Sequence, residues 1–166
     1  LNFENVEINA DQIVATGDEA EQLIKDAINY GTLCVSAEAV GCMESCYLKT
    51  VEYTKRREQF GQPISNFQVL QHKMVDMFIE AELCKSLLYK SMIDMHENND
   101  SKYRSVSALK SQVGLSGKKV GEDAVQLHGG MGVSEEMSIG HYLKRFISID
   151  SQFGNSHFHL KKFNNS

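Results

Sequence analysis

A single chain of 166 residues, 42% of them hydrophobic, carries enough apolar material for one domain with a sizeable core. Its net charge of -5, with Lys and Arg gathered in short clusters, excludes a broad nucleic-acid-binding face. No apolar run approaches the ~20 residues that span a bilayer, and no charged start followed by an apolar core marks a secretion signal.

The opening Leu1-Asn-Phe-Glu-Asn-Val-Glu-Ile-Asn-Ala10 approximates alternating polarity with a phase slip near Asn5, the pattern of a strand. No other stretch here can pair with it, and an isolated strand gains little in water, so its mates are expected upstream of Leu1. After Gly17 the pattern turns helical, with Asp18 as a cap and Glu19 and Glu21 placed well in the first turn. Ala27, Ile28, Val35, Ala39, Met43 and Cys46 recur at helical intervals, which predicts a helix running to Arg57 with a break near Gly31.

The stretch Tyr53-Thr-Lys-Arg-Arg-Glu-Gln-Phe-Gly-Gln-Pro-Ile-Ser-Asn-Phe-Gln68 forms a helix-to-helix corner. Lys55, Arg56 and Arg57 run into Phe60-Gly61, Pro63 forbids continuation, and Ser65 or Asn66 is placed to cap the next helix. A guanidinium fork suits phosphate oxygens and a nearby phenyl ring suits a planar heterocycle, which makes the corner a candidate anion site. The duller alternative is a solvated turn in which Arg57 pairs with Glu58 or Asp123 and the basic residues answer the helix dipole.

The next helix shows the clearest periodicity: Phe67, Leu70, Met74, Met77, Phe78, Ala81, Cys84, Leu88, Met92 and Met95 are predicted to face the core. Glu97-Asn-Asn-Asp-Ser101 interrupts it, and a third helix carries Val106, Leu109, Val113, Val120, Ala124 and Leu127 to a stop at Gly129-Gly130. Ser134-Glu135-Glu136 is expected to open a shorter fourth helix. Short corners between long amphipathic helices imply an all-α, up-and-down antiparallel four-helix bundle. Cys34, Cys42, Cys46 and Cys84 fall within helical patterns and read as small core residues with free thiols, in a reducing compartment. His157 and His159 read as surface residues, and neither they nor Cys42 and Cys46 have the second ligand pair a structural zinc needs.

The basic corner and the later segment Asp123-Ala-Val-Gln-Leu-His-Gly-Gly-Met-Gly-Val133 occur in the order and at the separation found in the acyl-CoA dehydrogenase family, and the chain resembles the carboxy-terminal domain of that family. Gly31-Thr-Leu-Cys-Val-Ser-Ala-Glu-Ala-Val-Gly41 and Phe67-Gln-Val-Leu-Gln-His72 extend the resemblance over nearly the whole chain. By resemblance, Arg57 contacts the FAD pyrophosphate, Gln59 and Phe60 touch the cofactor of a neighbouring subunit, and Gln68 offers an amide at the opening of the second helix. Gln126 lies one turn before Gly129 and Gly130, so amide and glycine backbone could approach one ligand. The resemblance also assigns residues 1–16 to the end of an upstream middle β-domain and its linker, and residues 17–166 to the helical bundle.

The family chemistry needs a carboxylate base beside the flavin, and here the sequence departs from the pattern. Alignment of the last segment sets Gly154 opposite one family Glu position, Gly31 occupies the other, and Asn155 stands where some members carry Asp. Three explanations follow in order of preference: a non-catalytic subunit whose partner supplies the base, a substitute acid such as Asp150 or one in absent domains, or flavin binding without dehydrogenation. The resemblance implies an acyl-CoA substrate, FAD, a homo- or hetero-oligomer (dimer or tetramer), electron-transferring flavoprotein as an electron acceptor, and a bacterial cytoplasmic location ahead of the mitochondrial matrix. The competing reading is a helical assembly or scaffold module without flavin.

Overall fold

The computed structural model describes residues 2–165. Five helices account for most of the described residues: α1 (Gly17–Arg56), α2 (Gln68–His96), α3 (Lys102–His128), α4 (Ser138–Ser151) and α5 (Ser156–Asn164). Between α1 and α2 lies a miniature hairpin of β1 (Glu58–Gln59) and β2 (Gln62–Pro63), antiparallel, with Glu58 opposite Pro63 and Gln59 opposite Gln62.

The helix directions follow from the contacts at their ends. Tyr103, early in α3, bonds Asp26 near the start of α1 at 2.6 Å, and His128, at the end of α3, stacks on Tyr53 near the end of α1. These two helices therefore run parallel, with α2 returning between them. Helix α4 runs back along α1, with Ser138 beside Lys49 and Arg145 beside Glu38. The up-and-down bundle is the expected one, and α5 is a short fifth helix that the periodicity did not announce. Helix α3 is central, packing on each of the other four.

Small residues explain that close packing. A Cβ at Gly117 would lie 3.1 Å from the Phe146 ring, one at Gly121 2.9 Å from Leu143, and one at Gly114 would run into the Asp150 carboxylate. The core gathers Met43, Met77, Cys84, Leu109, Val113, Val120, Ile139, Phe146 and Ile149.

Helix α1 differs from its predicted form in two respects. It passes unbroken through Gly31, extending over 40 residues or about 60 Å. Of the expected stripe, Ala39, Met43 and Cys46 are buried, Val35 is half-buried, and Ala27 and Ile28 are exposed; Asn29, Thr32, Ser36, Val40, Thr50 and Thr54 complete the buried face. The hydroxyls of Thr32, Ser36 and Thr50 each donate to the carbonyl four residues back, at 2.7, 2.7 and 2.8 Å, so they are buried without orphaned donors.

Helix starts differ as well. Thr16, not Asp18, precedes α1, and Phe67, not Ser65 or Asn66, precedes α2, because Ile64–Asn66 close a 3₁₀ turn of their own. Gly129–Val133 form another 3₁₀ turn, which delays α4 to Ser138. Within this chain residues 2–9 of the expected strand join no sheet, Ala10–Gln12 form a 3₁₀ turn, and Asn5, at the phase slip, has φ +53°. Leu1, the first residue of that expected strand, lies outside the described residues.

All four cysteines are free. Cys46 and Cys84 are buried, and burial pushes their thiols up to about 12 and about 11, whereas Cys34 is exposed and is not core. His159 is buried, contrary to the surface expectation, and His157 is exposed. Among the described residues no helix is long and apolar enough to cross a membrane.

Candidate functional site

The basic corner is more sharply built than a helix stop. Arg57 N donates to Tyr53 O at 2.9 Å, finishing α1, and Arg57 O accepts from Ile64 N at 2.8 Å, closing the base of the hairpin. The backbone of Arg57 is thus held from both sides while its side chain stays exposed and, among the described residues, unpaired. Asp123, one of its alternative partners, is taken by Lys73. At the hairpin tip Phe60 and Gly61 have φ +57° and +78°, the two positive values of a type I′ turn. Glycine accepts this readily, but a phenylalanine does so at a cost. Phe60 is 91% exposed, and its ring makes an edge-on pair with Phe67, centroids 6.0 Å apart.

The second motif arrives at the same place from α3. Gly129 ends α3 with φ +59° and ψ -140°, a backbone region that only glycine visits freely. A Cβ at Gly129 or Gly130 would meet nothing within 4 Å, so both glycines face open space. Arg57, Gln59, Gln126, Gly129 and Gly130 together line a cavity of about 450 Å³. Five of the seven expected cofactor residues are therefore brought together. Phe60 and Gln68 do not line it: Phe60 stands out at the hairpin tip, and Gln68 opens α2 beyond the 3₁₀ turn.

Tyr53, Ile64, Leu127, His128 and Met131 complete the cavity, and of these the sequence pattern marks only Leu127, as a core residue. Tyr53 and His128 stack with centroids 4.1 Å apart and planes 23° apart, and the Tyr53 hydroxyl donates to His128 O at 3.3 Å. Burial holds His128 below the ordinary imidazole range, and its Nδ1 lies 2.8 Å from Ala124 O. Both residues sat inside the quoted motifs, next to Gly129 and at the start of the basic stretch, and that adjacency was the available signal. They also line, with Arg57, a second cavity of about 660 Å³ whose lining includes Lys49, Lys55 and Arg56.

The expected proton-acceptor positions meet elsewhere. A Cβ at Gly31 would lie 2.6 Å from Phe153 Cζ, so the side chain that reaches Gly31 from the α4–α5 corner is that of Phe153. Gly154, the residue set opposite the family Glu by alignment, has φ +99°, and a side chain there would run into Phe158 instead, 2.5 Å away. Asn155 caps α5, its Oδ1 accepting from Phe158 N at 2.9 Å. Asp150 is engaged too, Oδ1 accepting from Ser156 N at 2.8 Å. A glycine face, a phenyl ring, a capping amide and an occupied carboxylate surround the place.

The acyl-CoA dehydrogenase C-terminal-domain family model matches residues 22–162. The chain belongs to the acyl-CoA dehydrogenase family. It is 29% identical over 146 residues to the short-chain-specific acyl-CoA dehydrogenase of Megasphaera elsdenii, covering 87% of this chain and 37% of that protein. Acyl-CoA dehydrogenase IpdE2 of Mycobacterium tuberculosis is 31% identical over 130 residues, 77% of this chain and 39% of its own length. Among solved structures, butyryl-CoA dehydrogenase from Megasphaera elsdenii superimposes with a TM-score of 0.92 at 25% identity, over 98% of this chain and 42% of that one. This acyl-CoA dehydrogenase domain thus spans well under half the length of these relatives.

Proposed function

We propose that this domain supplies one wall of an FAD site at an oligomer contact of an acyl-CoA dehydrogenase, and that it brings no proton acceptor of its own. The observation that carries the reading is the 450 Å³ cavity, where two motifs distant in sequence converge with an Arg57 guanidinium unpaired among the described residues, the Gln126 amide and two side-chain-free glycines. Such donors fit a pyrophosphate, since guanidinium and amide N–H groups bond anionic oxygens and the glycines leave room for close approach. Residues 1–16 then belong to the end of an upstream sheet domain, with residues 17–166 forming the bundle.

Bound FAD would accept the hydride from the β-carbon of the acyl thioester. The domain's own contribution is to grip the dinucleotide and to wall the cleft. The α-proton needs a carboxylate in hydrogen-bond reach, and neither Gly31, Phe153, Gly154 nor Asn155 is one, while Asp150 is committed to the α5 amide. A partner subunit is the simplest source. Val75, Ile79, Leu83 and Ile93 lie about half exposed along α2 and provide an apolar face for such a contact.

The decisive test is the visible spectrum of the protein expressed from its complete gene, before and after anaerobic addition of mixed acyl-CoA thioesters. The expected result is a flavin band that persists unbleached until a partner subunit is added. Arg57→Ala is expected to weaken flavin retention about tenfold to a hundredfold, the range for losing a hydrogen bond to a charged group. Bleaching without a partner would place a base elsewhere in the chain, and absence of flavin would leave the apolar α2 face as evidence for an assembly module.

A further inference from the structure

Lys110 on α3 is fully buried. Its ammonium donates to Ile149 O at 2.9 Å, Asp150 O at 3.0 Å and Gly154 O at 2.9 Å, which uses all three of its protons. Ile149 and Asp150 carry carbonyls of the last turn of α4, at the negative end of the helix dipole; the Ile149 carbonyl also accepts from Gln152 N at 3.1 Å. Gly154 lies beyond the corner, so one cation ties a helix end to the loop that follows. Two other side chains grip the same corner: the His159 ring takes Phe153 O at 3.0 Å through Nε2, and Asp150 Oδ1 takes Ser156 N.

Burial pushes the Lys110 ammonium below the ordinary lysine range, and no carboxylate forms an ion pair with it among the described residues. A methionine would fill much the same volume without desolvating a charge. What the lysine adds is the fixed geometry of the three carbonyls. That geometry is needed, because Phe153 has φ +56°, a conformation a bulky residue keeps only when its surroundings impose it.

We propose that Lys110 is a positioning residue: by binding the carbonyls of Ile149, Asp150 and Gly154 it sets the α4–α5 corner so that the Phe153 ring, and no proton acceptor, faces the cleft over Gly31. The proposal rests on the reading of this corner as a wall of the acyl-CoA cleft, but its structural half is measured without flavin or thioester. In NMR spectra of the whole 166-residue chain, Lys110→Met is expected to abolish the nuclear Overhauser contact between the Phe153 ring and the Gly31 α-protons. Amide exchange at residues 152–157 is expected to rise at least tenfold while α1 and α2 amides stay within about twofold. Unchanged contact and exchange, or a uniform rise along the chain, would overturn it. Should the variant not fold, the wild-type chain decides: trans-hydrogen-bond couplings from Lys110 Nζ to the three carbonyls support the proposal, and their absence sinks it. In the protein from the complete gene, Lys110→Met should then change KM for acyl-CoA thioesters or their binding while flavin retention at Arg57 is intact. A chain that passes the NMR test yet binds no thioester would fail the functional reading alone.

Discussion

At the scale of single residues, the hairpin tip holds a conflict between local and functional preference. A type I′ turn favours Asn-Gly, and this chain has Phe60-Gly61 with the phenylalanine in the left-handed region and its ring in solvent. Among the described residues, the Phe60 ring is partnered by an edge contact to Phe67. Phe60→Asn should therefore stabilise the isolated chain by about 0.5 kcal/mol, a net of relieved backbone strain and a lost exposed ring contact. Thermal melts would check the gain, and flavin retention in the complete protein should move the opposite way. The sequence displayed the ring, the basic run and the glycine pair. Tyr53 and His128 are not marked by spacing, because their stack is made by the parallel course of α1 and α3.

At the scale of elements, α1 and the α4–α5 corner are sterically matched. Gly31 sits in the middle of a 40-residue helix, where alanine would ordinarily be favoured by about 1 kcal/mol, yet its Cβ would press into the Phe153 ring. A double-mutant cycle tests the match: Gly31→Ala should destabilise the parent chain by about 1–3 kcal/mol and should be neutral or stabilising in a Phe153→Ala background. Additive effects measured by chemical denaturation would mean the two do not touch in solution. This pairing also explains which parts of the fold were legible. Met77, Ala81, Cys84, Leu88 and Met95 of α2 are buried as their periodicity predicts, but Phe78 and Met92 are nearly half exposed, because α2 is apolar on two sides and spacing does not say which one is inside. Helix α1 buries Ala39, Met43 and Cys46 as their spacing predicts, but the rest of its inner face is largely hydroxyls satisfied by its own carbonyls, which carry no hydrophobic signal. The one-residue displacement from Gly154 to Phe153 arose from backbone twist at positive φ, which alignment does not see.

At the scale of the whole molecule, titratable groups predict an acid response in two stages. Burial lowers the His128 and His159 imidazoles, so from about pH 6.5 downward the unfolded chain takes up protons first and stability declines. Carboxylates form the second stage. The Ser105 hydroxyl, with Lys90 and Asn99, holds Asp94 down to about 2, and hydrogen bonds from Tyr103 and Arg145 lower Asp26 and Glu38. Their contribution is present above about pH 4 and disappears as the pH falls toward 2. Melting temperature against pH should show a shallow descent below 6.5 and a steeper one below 4, and His128→Gln with His159→Gln should flatten only the first. A single descent confined below pH 4 in the parent chain would contradict the buried-histidine account.

The outstretched ring at the hairpin tip has one more consequence. The chain contains no tryptophan, so Phe60→Trp would place a lone indole at a site 91% exposed in the isolated domain. Its emission would be that of a water-bathed fluorophore when the domain stands alone, and would shift to the blue, or be quenched by energy transfer to a yellow cofactor, once another surface closed over it. Assembly of the site would then be readable by eye on a fluorimeter trace, without any chemistry having to occur.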